Sequence, residues 1–413
     1  MIVGISKQKI TPSEPMYLDG QGSRVGKSQG VLDDIYVTAL VLKQTETYVW
    51  LSYEFVDMQR VYSEEIMNRV ADAIHVPAHH VIVSFTHTHS APCLQLDPLW
   101  SFHYAPEETK AYREWIIEQT IIAIKHAVDT SCECQMYTAV KTIEGCYGNR
   151  NGITREKDNK VQLLQFRSGH ETIATVVNMA CHPTVLGPSN YFISGDVFGR
   201  LQAMLNKAWG CEVFMMQGAA GDMGNRQYRK GEDNEELIRT SFDISKQLLR
   251  DIEWNELPDT IIKVHQYHDA FNVPISKATV DKDLVNVDSS LNDPQLSRDE
   301  RKLLLTMKEW YEKLKTMPDE VAVVFDGWYI KLGNVLIITI PSELNSYFAL
   351  KIRDCFQDYQ CFIWGYVYYS NGYLVEESEY GKHFESIVSM IPKGKSEAYI
   401  DFIINDIIHW LHA

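Results

Sequence analysis

The sequence has 413 residues, a formal net charge of −16 and a hydrophobic content of 45%. This composition is ordinary for a globular protein and excludes a disordered or fibrous chain. The 55 acidic residues outnumber the 39 basic ones, and no lysine- or arginine-rich run is present, which argues against nucleic acid as a partner.

The sequence also bears on the compartment. Its start lacks the basic, then apolar, pattern of a secretion signal, and no apolar stretch reaches the roughly 18 residues of a membrane span. Eight scattered cysteines without a CxxC pair are expected to be reduced. We therefore expect a cytoplasmic protein without a transmembrane segment.

The first quarter of the chain predicts strands followed by helices. A glycine-rich loop at 18–26 is expected to be flexible or to line a site, and the β-rich runs 35–42 and 48–55 predict a hairpin. A helix is predicted to open at Ser63, with Ile66, Val70 and Ile74 as its buried stripe, and a longer one at Pro106.

An apolar, β-branched run begins at Val81 and leads into His87 and His89 before Pro92 ends the strand. Residues two apart on a strand point the same way, so we expect both imidazoles to converge on a metal ion, or on a metal ion and its substrate. The alternative, polar strand-end residues satisfied by backbone and water, stays open on this motif alone.

A second strand, over 172–180, ends the same way, in histidine and proline. His182 follows Cys181, which we expect to be a small buried hydrophobe. A third histidine at a strand exit favours a common site for these strand ends. A further buried strand at 212–216 runs into small residues that allow close backbone approach.

Two charged residues complete the candidates. Arg150 lies in an irregular loop over 144–158 that contains several glycines and asparagines, where it is either a held functional group or a surface residue. Glu343 follows a predicted hairpin over 329–340 and is either a metal ligand or a helix cap.

Helices alternate with strands throughout, which predicts an α/β protein, a layered sandwich of mixed β-sheets flanked by helices. We find no linker or repeat, so one large domain over 1–413 is the simplest organisation. Residues 276–320 are polar and helical and are predicted to be an insertion that shields or gates.

Several of these pieces, in this order, resemble the catalytic domain of the neutral, non-lysosomal ceramidase family. The resemblance covers nearly the whole chain. It rests on Thr86–Pro92, Asn149-Arg150, His182-Pro183-Thr184, Ser194-Gly195-Asp196, Gly221-Asp222, Pro341-Ser342-Glu343, and Asn371-Gly372-Tyr373 with Tyr380.

The resemblance implies a zinc-dependent hydrolase that cleaves an N-acyl (amide) bond with a zinc-bound water as nucleophile. Its substrate would be a small-molecule or lipid-like N-acyl compound. The family pattern implies one zinc ion per chain, with ligands at His87, His182, Glu343 and Tyr373.

The same resemblance assigns roles beyond the metal. His89 would donate the proton that the departing nitrogen needs, whereas spacing alone would have made it a ligand too. Arg150 would stabilise an oxyanion or orient a polar group. Asp222, Asn225 and Tyr380 are implied to contact the substrate.

Departures from the family pattern leave the substrate open. The serine and proline expected after Gly221-Asp222 are missing, His383-Phe384-Glu385 replaces a tyrosine-containing motif, and no C-terminal β-domain follows. Some smaller N-acyl compound is therefore an alternative to ceramide. A non-catalytic metal- or ligand-binding relative, a metallo-esterase acting on a small soluble substrate, and an enzyme using iron or manganese remain further alternatives.

Overall fold

The computed structural model describes residues 1–96, 106–258 and 261–412. Along these residues no helix combines the length and the apolar character that a membrane crossing requires. The strands are, in chain order, β1 (Ile2–Lys9), β2 (Gly30–Val31), β3 (Tyr36–Lys43), β4 (Thr47–Tyr53), β5 (Val81–Phe85), β6 (Cys132–Glu133), β7 (Gln135–Thr142), β8 (Gly148–Asn149), β9 (Lys160–Ser168), β10 (Glu171–Met179), β11 (Phe192–Ile193), β12 (Glu212–Gln217), β13 (Met223–Gly224), β14 (Asn255–Leu257), β15 (Lys263–Pro274), β16 (Glu320–Leu332), β17 (Val335–Thr339), β18 (Glu343–Leu344), β19 (Gln360–Trp364) and β20 (Tyr373–Leu374).

The helices divide between two compact units of the chain. Unit 1 consists of Met1–Gln266 and Gly327–Ser370, and unit 2 of Tyr267–Asp326 and Asn371–Ala413. The helices are α1 (Arg60–Ile74), α2 (Pro106–Asp129), α3 (Asp196–Trp209), α4 (Asn234–Leu249), α5 (Lys277–Leu291), α6 (Arg298–Thr316), α7 (Ser346–Cys355), α8 (Phe384–Ile387) and α9 (Lys395–His412). The expectation of a single domain over 1–413 stays a prediction.

Unit 1 is built on two five-stranded mixed sheets. The first has the strand order β5-β4-β3-β1-β6 and the second the order β12-β10-β9-β7-β14. Most neighbours are antiparallel, but β4–β5 and β10–β12 are parallel pairs. A further pair in unit 1, β17–β19, is also parallel.

The buried side chains place these sheets in a layered sandwich. In β3, Val37, Ala39 and Val41 pack with the apolar faces of α1 and α2, whereas Leu40 and Leu42 pack toward the second sheet. This alternation is the period of two that a strand buried on both faces requires. The outer face of the second sheet packs on α3 and α4. The predicted α/β sandwich of mixed sheets flanked by helices is confirmed.

Individual elements follow the sequence with small shifts. The hairpin of β3 and β4 and the one of β16 and β17 form as predicted. Helix α1 begins at Arg60, three residues before the predicted start at Ser63. Its stripe is nevertheless as predicted, because Ile66 and Val70 are buried and Ile74 packs against the same cluster.

Unit 2 contains the segment predicted as a helical insertion. Helices α5 and α6 occupy it, and α6 opens with a capping box in which Ser297 and Glu300 exchange hydrogen bonds. Within the unit, Phe325 stacks on Tyr399 of α9 with ring centroids 4.1 Å apart. Helices therefore occupy most of 276–320, whereas its role as an insertion that shields or gates stays a prediction.

A buried carboxylate in unit 1 makes stability depend on pH. Glu54 is 3% exposed and accepts a hydrogen bond from the Tyr36 N–H at 3.0 Å. Burial raises the pKa of Glu54 to about 7, although the positive charge of Lys7 acts to lower it. Between pH 4.5 and about 7 the folded chain therefore binds more protons here than the unfolded chain, so the free energy of unfolding falls as pH rises.

Glu54→Gln should remove this contribution. We expect the variant to be more stable than the parent at pH 8 by about 1–3 kcal/mol, with the gain absent at pH 5. Urea unfolding at both pH values measures it. An equal difference at the two pH values would show that the carboxylate stays charged in the folded chain.

Candidate active site

His87 and His89 lie just beyond the end of β5. The strand ends at Phe85, and the backbone of His87 is left-handed with φ 70°. The two imidazoles still approach each other, with ring centroids 5.0 Å apart. The predicted convergence is therefore present, but strand alternation is the wrong reason for it, because the turn at His87 aims the rings.

His182 reaches the same place from the end of β10. Its N–H donates to the Met223 carbonyl at 3.0 Å, and its ring centroid lies 4.6 Å from that of His87. Cys181 is fully buried, and burial raises the pKa of its thiol, as befits the small hydrophobe that was predicted.

Gln217, the last residue of β12, ties the two strand exits together. Its amide nitrogen donates to the carbonyls of Thr86 at 2.9 Å and Cys181 at 3.0 Å, and its amide oxygen accepts from the Cys181 N–H at 3.3 Å. The glutamine thus fixes the backbone one residue before His87 and one before His182. Sequence reasoning missed it, because nothing local marks a buried glutamine as a clamp.

The three histidines form a group that could hold a metal ion: one ligand atom from each of His87, His89 and His182 lies within 4.8 Å of the others. The Nε2 atoms of His89 and His182 are 3.1 Å apart. Glu343 joins the group, with its Oε2 atom 3.3 Å from the His87 Nε2 atom.

The hydrogen bonds around these residues fit a metal site. The Nδ1 atom of His87 lies 2.8 Å from the Val56 carbonyl, and that of His182 lies 3.2 Å from the Ala220 carbonyl. A carbonyl holds the proton on Nδ1 and leaves Nε2 free to bind a metal, which is the usual arrangement of metal-binding histidines. Donor atoms of a tetrahedral zinc ion lie roughly 3.3 Å apart, and the His87 Nε2 and Glu343 Oε2 atoms are 3.3 Å apart.

Burial and the nearby positive charges keep the imidazoles of His89 and His182 neutral. Burial, with help from the positive groups at His87 and Arg150, holds the pKa values of His89 and His182 well below the usual range. Burial also disfavours the charged form of His87, but the Glu343 and Asp57 carboxylates outweigh it and raise its pKa. Neutral imidazole is the form that binds a metal or accepts a proton.

The glycine-rich loop lies directly against His89. At Gly20, where φ is 82°, an added Cβ atom would come within 2.4 Å of the His89 Cγ atom. Arg24 is fully buried in the same loop, and its Nη1 atom donates to the His89 carbonyl at 2.9 Å. This loop was expected to be flexible or to line a site, and the structure shows that it lines the site. After Gln217, Arg24 is a second site residue that the sequence did not single out.

Asp222 joins the segments that carry Arg150 and Glu343. Its backbone carbonyl accepts from the Arg150 N–H at 2.7 Å, and its carboxylate accepts from the Asn149 amide at 2.6 Å and the Ser346 N–H at 2.7 Å. Ser346 opens α7 just past Glu343, so the carboxylate also favours the helix N-terminus.

Arg150 and Asn225 are nearby polar groups. Arg150 is 8% exposed, and its charge lowers the pKa of both His89 and His182. The Asn225 amide is buried, and neither its nitrogen nor its oxygen has a hydrogen-bond partner among the described residues. A buried amide without hydrogen-bond partners is energetically unfavourable, so the Asn225 amide is suited to bonding a ligand.

Asp196 explains the Ser194-Gly195-Asp196 motif. Its carboxylate accepts from the N–H groups of Val185 at 3.2 Å and Leu186 at 3.0 Å, which fixes the loop that follows His182. Ser194 accepts a hydrogen bond from the Thr88 hydroxyl at 2.9 Å and so holds the other histidine segment.

The remaining two predicted site residues lie in unit 2. Tyr373 is 7% exposed, and its ring centroid is 6.0 Å from that of Phe384. Burial raises the pKa of Tyr380. Their roles as zinc ligand and substrate contact stay predictions.

The fold and the group of three histidines with a carboxylate define a layered α/β protein with a candidate metal centre at its strand ends. The structure is similar to neutral ceramidase from Pseudomonas aeruginosa, with a TM-score of 0.72 and 15% identity over 98% of this chain and 73% of that one. It is also similar to a ceramidase complexed with C2, with a TM-score of 0.71 and 14% identity over 98% and 74% of the two chains.

The resemblance that the motifs indicated is thus confirmed at the level of the fold. No family model matches the sequence, and no curated protein matches it either. The activity must accordingly be argued from the site.

Proposed function

We propose that the protein is a zinc-dependent hydrolase that cleaves the amide bond of an N-acyl compound. The observation that carries the proposal is the convergence of His87, His182 and Glu343, with His89 beside them, at strand ends of a ceramidase-like fold. The predicted fourth ligand, Tyr373, belongs to the same proposal.

The residues divide the work between holding the metal and handling the proton. His87 and His182 present Nε2 because their Nδ1 atoms face carbonyls. A zinc ion, when bound, would lower the pKa of a coordinated water toward about 7 and polarise an amide carbonyl.

His89 and Arg150 would act on the substrate side. A neutral His89 can accept at Nε2 the proton that the attacking water loses and then give it to the departing nitrogen, which amide cleavage requires. The donor role expected from the sequence is thus kept and preceded by proton uptake, because burial holds the pKa of His89 well below its usual range. The Arg150 guanidinium would face the charge that develops on the carbonyl oxygen.

Elemental analysis of protein purified without added metal is the first test. We expect about one zinc ion per chain, and its loss from a His87→Ala, His182→Ala double variant. A matched control, His79→Ala with His126→Ala, removes two exposed histidines and should retain the zinc. Iron or manganese instead of zinc would contradict the proposed cofactor.

Turnover is the second part of the same test. A panel of a long-chain N-acyl sphingosine, a short-chain one, N-acyl amino acids and the matching esters covers the substrate classes. Cleavage of an amide by the metal-loaded chain supports the proposal. Cleavage of esters alone would indicate a metallo-esterase, and metal without any turnover would indicate a binding protein.

A further inference from the structure

Tyr366 is a residue of the site that the motif analysis did not assign. It lies two residues past β19 and is fully buried in unit 1. Its ring centroid lies 4.4 Å from that of His87, and its hydroxyl donates to Glu343 Oε2 at 3.4 Å. One side chain therefore touches two of the proposed metal ligands.

The backbone of Tyr366 makes the same connection. Its carbonyl accepts from the Phe85 N–H at 3.0 Å, two residues before His87, and its N–H donates to the Ser342 carbonyl at 3.4 Å, one residue before Glu343. The segments that deliver the two ligands thus meet at this residue.

The conformation of Tyr366 argues that its side chain matters. Its φ of 55° lies in the left-handed region, which is unfavourable for a residue with a Cβ atom. Such strain persists where the surroundings hold a residue in place, often at functional sites. A glycine would relieve the strain but would supply neither the ring against His87 nor the hydroxyl toward Glu343.

The geometry points to Tyr366 as the positioning residue that orients the Glu343 carboxylate for the metal. This inference rests on the proposed function, because it needs the metal site to exist. Carboxylates that bind metals are commonly held by a hydrogen bond of their own, and loss of that bond weakens metal affinity by about 10- to 100-fold. At 3.4 Å the contact is longer than the usual 2.8 Å or so for a hydroxyl donor.

Tyr366→Phe is the direct test, because it removes the hydroxyl and keeps the ring. We expect the zinc dissociation constant, measured by competition with a chelator, to rise by about 10- to 100-fold. The absorption spectrum of the cobalt-substituted protein should change as well, since it reports the ligand geometry. The matched control is Tyr53→Phe, which removes a fully buried hydroxyl that contacts Thr120 at 2.9 Å. The control should leave both readouts unchanged.

A double-mutant cycle separates positioning from direct binding by the phenol. Once Glu343→Ala has removed the carboxylate, adding Tyr366→Phe should cause no further loss of zinc affinity. A further loss in that background would overturn the inference, as would an unchanged affinity in the single variant. If the parent protein binds no metal at all, the proposed function fails together with the inference. If the parent binds the metal and Tyr366→Phe leaves its affinity unchanged, only the inference fails. The two failures are therefore distinguishable.

Discussion

His89→Ala is expected to lower amide turnover by about 10²- to 10⁴-fold while the chain keeps its metal. The imidazole lies beside the proposed metal site, with its Nε2 atom 3.1 Å from that of His182. Among the described residues, the other two imidazoles of the site, His87 and His182, are committed to the metal in our proposal and cannot carry the proton. Turnover of the best amide substrate, with metal content determined on the same sample, measures both effects.

His182→Ala is the contrasting variant, since it should lose the metal and the activity together. The three-histidine group could also use His89 as a ligand, because one donor atom from each lies within 4.8 Å of the others. Loss of the metal from His89→Ala would therefore refute the proton-transfer role and make His89 a ligand instead. Retention of both metal and activity would remove His89 from the mechanism altogether.

The sequence predicted the layers of the fold because burial leaves a local trace. Strands such as β3, buried on both faces, read as continuous apolar runs, and α1 carries an apolar stripe at helical spacing. The start of α1 was misplaced because Gln59, which precedes it, makes no side-chain capping bond, while Ser63 looks like a cap. Capping preferences are weak beside the packing of a whole helix face.

The candidate site was predictable where residues mark strand exits. His87, His182 and Glu343 each follow a buried strand, and the structure brings them together. The supporting residues could not be predicted in the same way. Gln217 and Tyr366 act on partners distant in the sequence, and each sits among apolar residues that explain its burial without any site.

Asp222 is the opposite case, a residue that the sequence marked but whose full role it did not reveal. The motif marked it for a substrate contact, a role that stays a prediction, and the structure adds a second use for its carboxylate. It holds Asn149 beside Arg150 and favours the N-terminus of α7 beyond Glu343. A motif can thus identify an important residue without revealing which of its bonds make it important.

Gly20→Ala should reduce turnover by about 10²-fold, although Gly20 carries no chemical group of its own. The added Cβ atom would meet the His89 ring at 2.4 Å, which no real contact tolerates, so the imidazole must move. Misplacing a catalytic group by about 1 Å can cost this much in rate. The metal should stay bound, since the clash falls on His89 rather than on His87 or His182, and metal content with kcat measures the outcome.

Gly26→Ala is the matched control within the same loop. Its φ of 100° imposes a similar backbone penalty, but an added Cβ atom there meets nothing within 4 Å. Any loss of stability shared by the two variants therefore reports the left-handed backbone, and only Gly20→Ala should lose turnover. Equal losses of turnover would trace the effect to the loop as a whole.

The combination of Gly20→Ala with His89→Ala decides whether the glycine acts through the histidine. If the clash with the imidazole causes the defect, the double variant should turn over no more slowly than His89→Ala alone, because the ring that the methyl group displaces is already absent. If the two losses of turnover instead multiply in the double variant, the two substitutions act independently and the loop contacts the substrate directly. In that case Gly20 would limit the size of the group bound beside His89, and the substrate panel should shift toward smaller N-acyl compounds in the alanine variant.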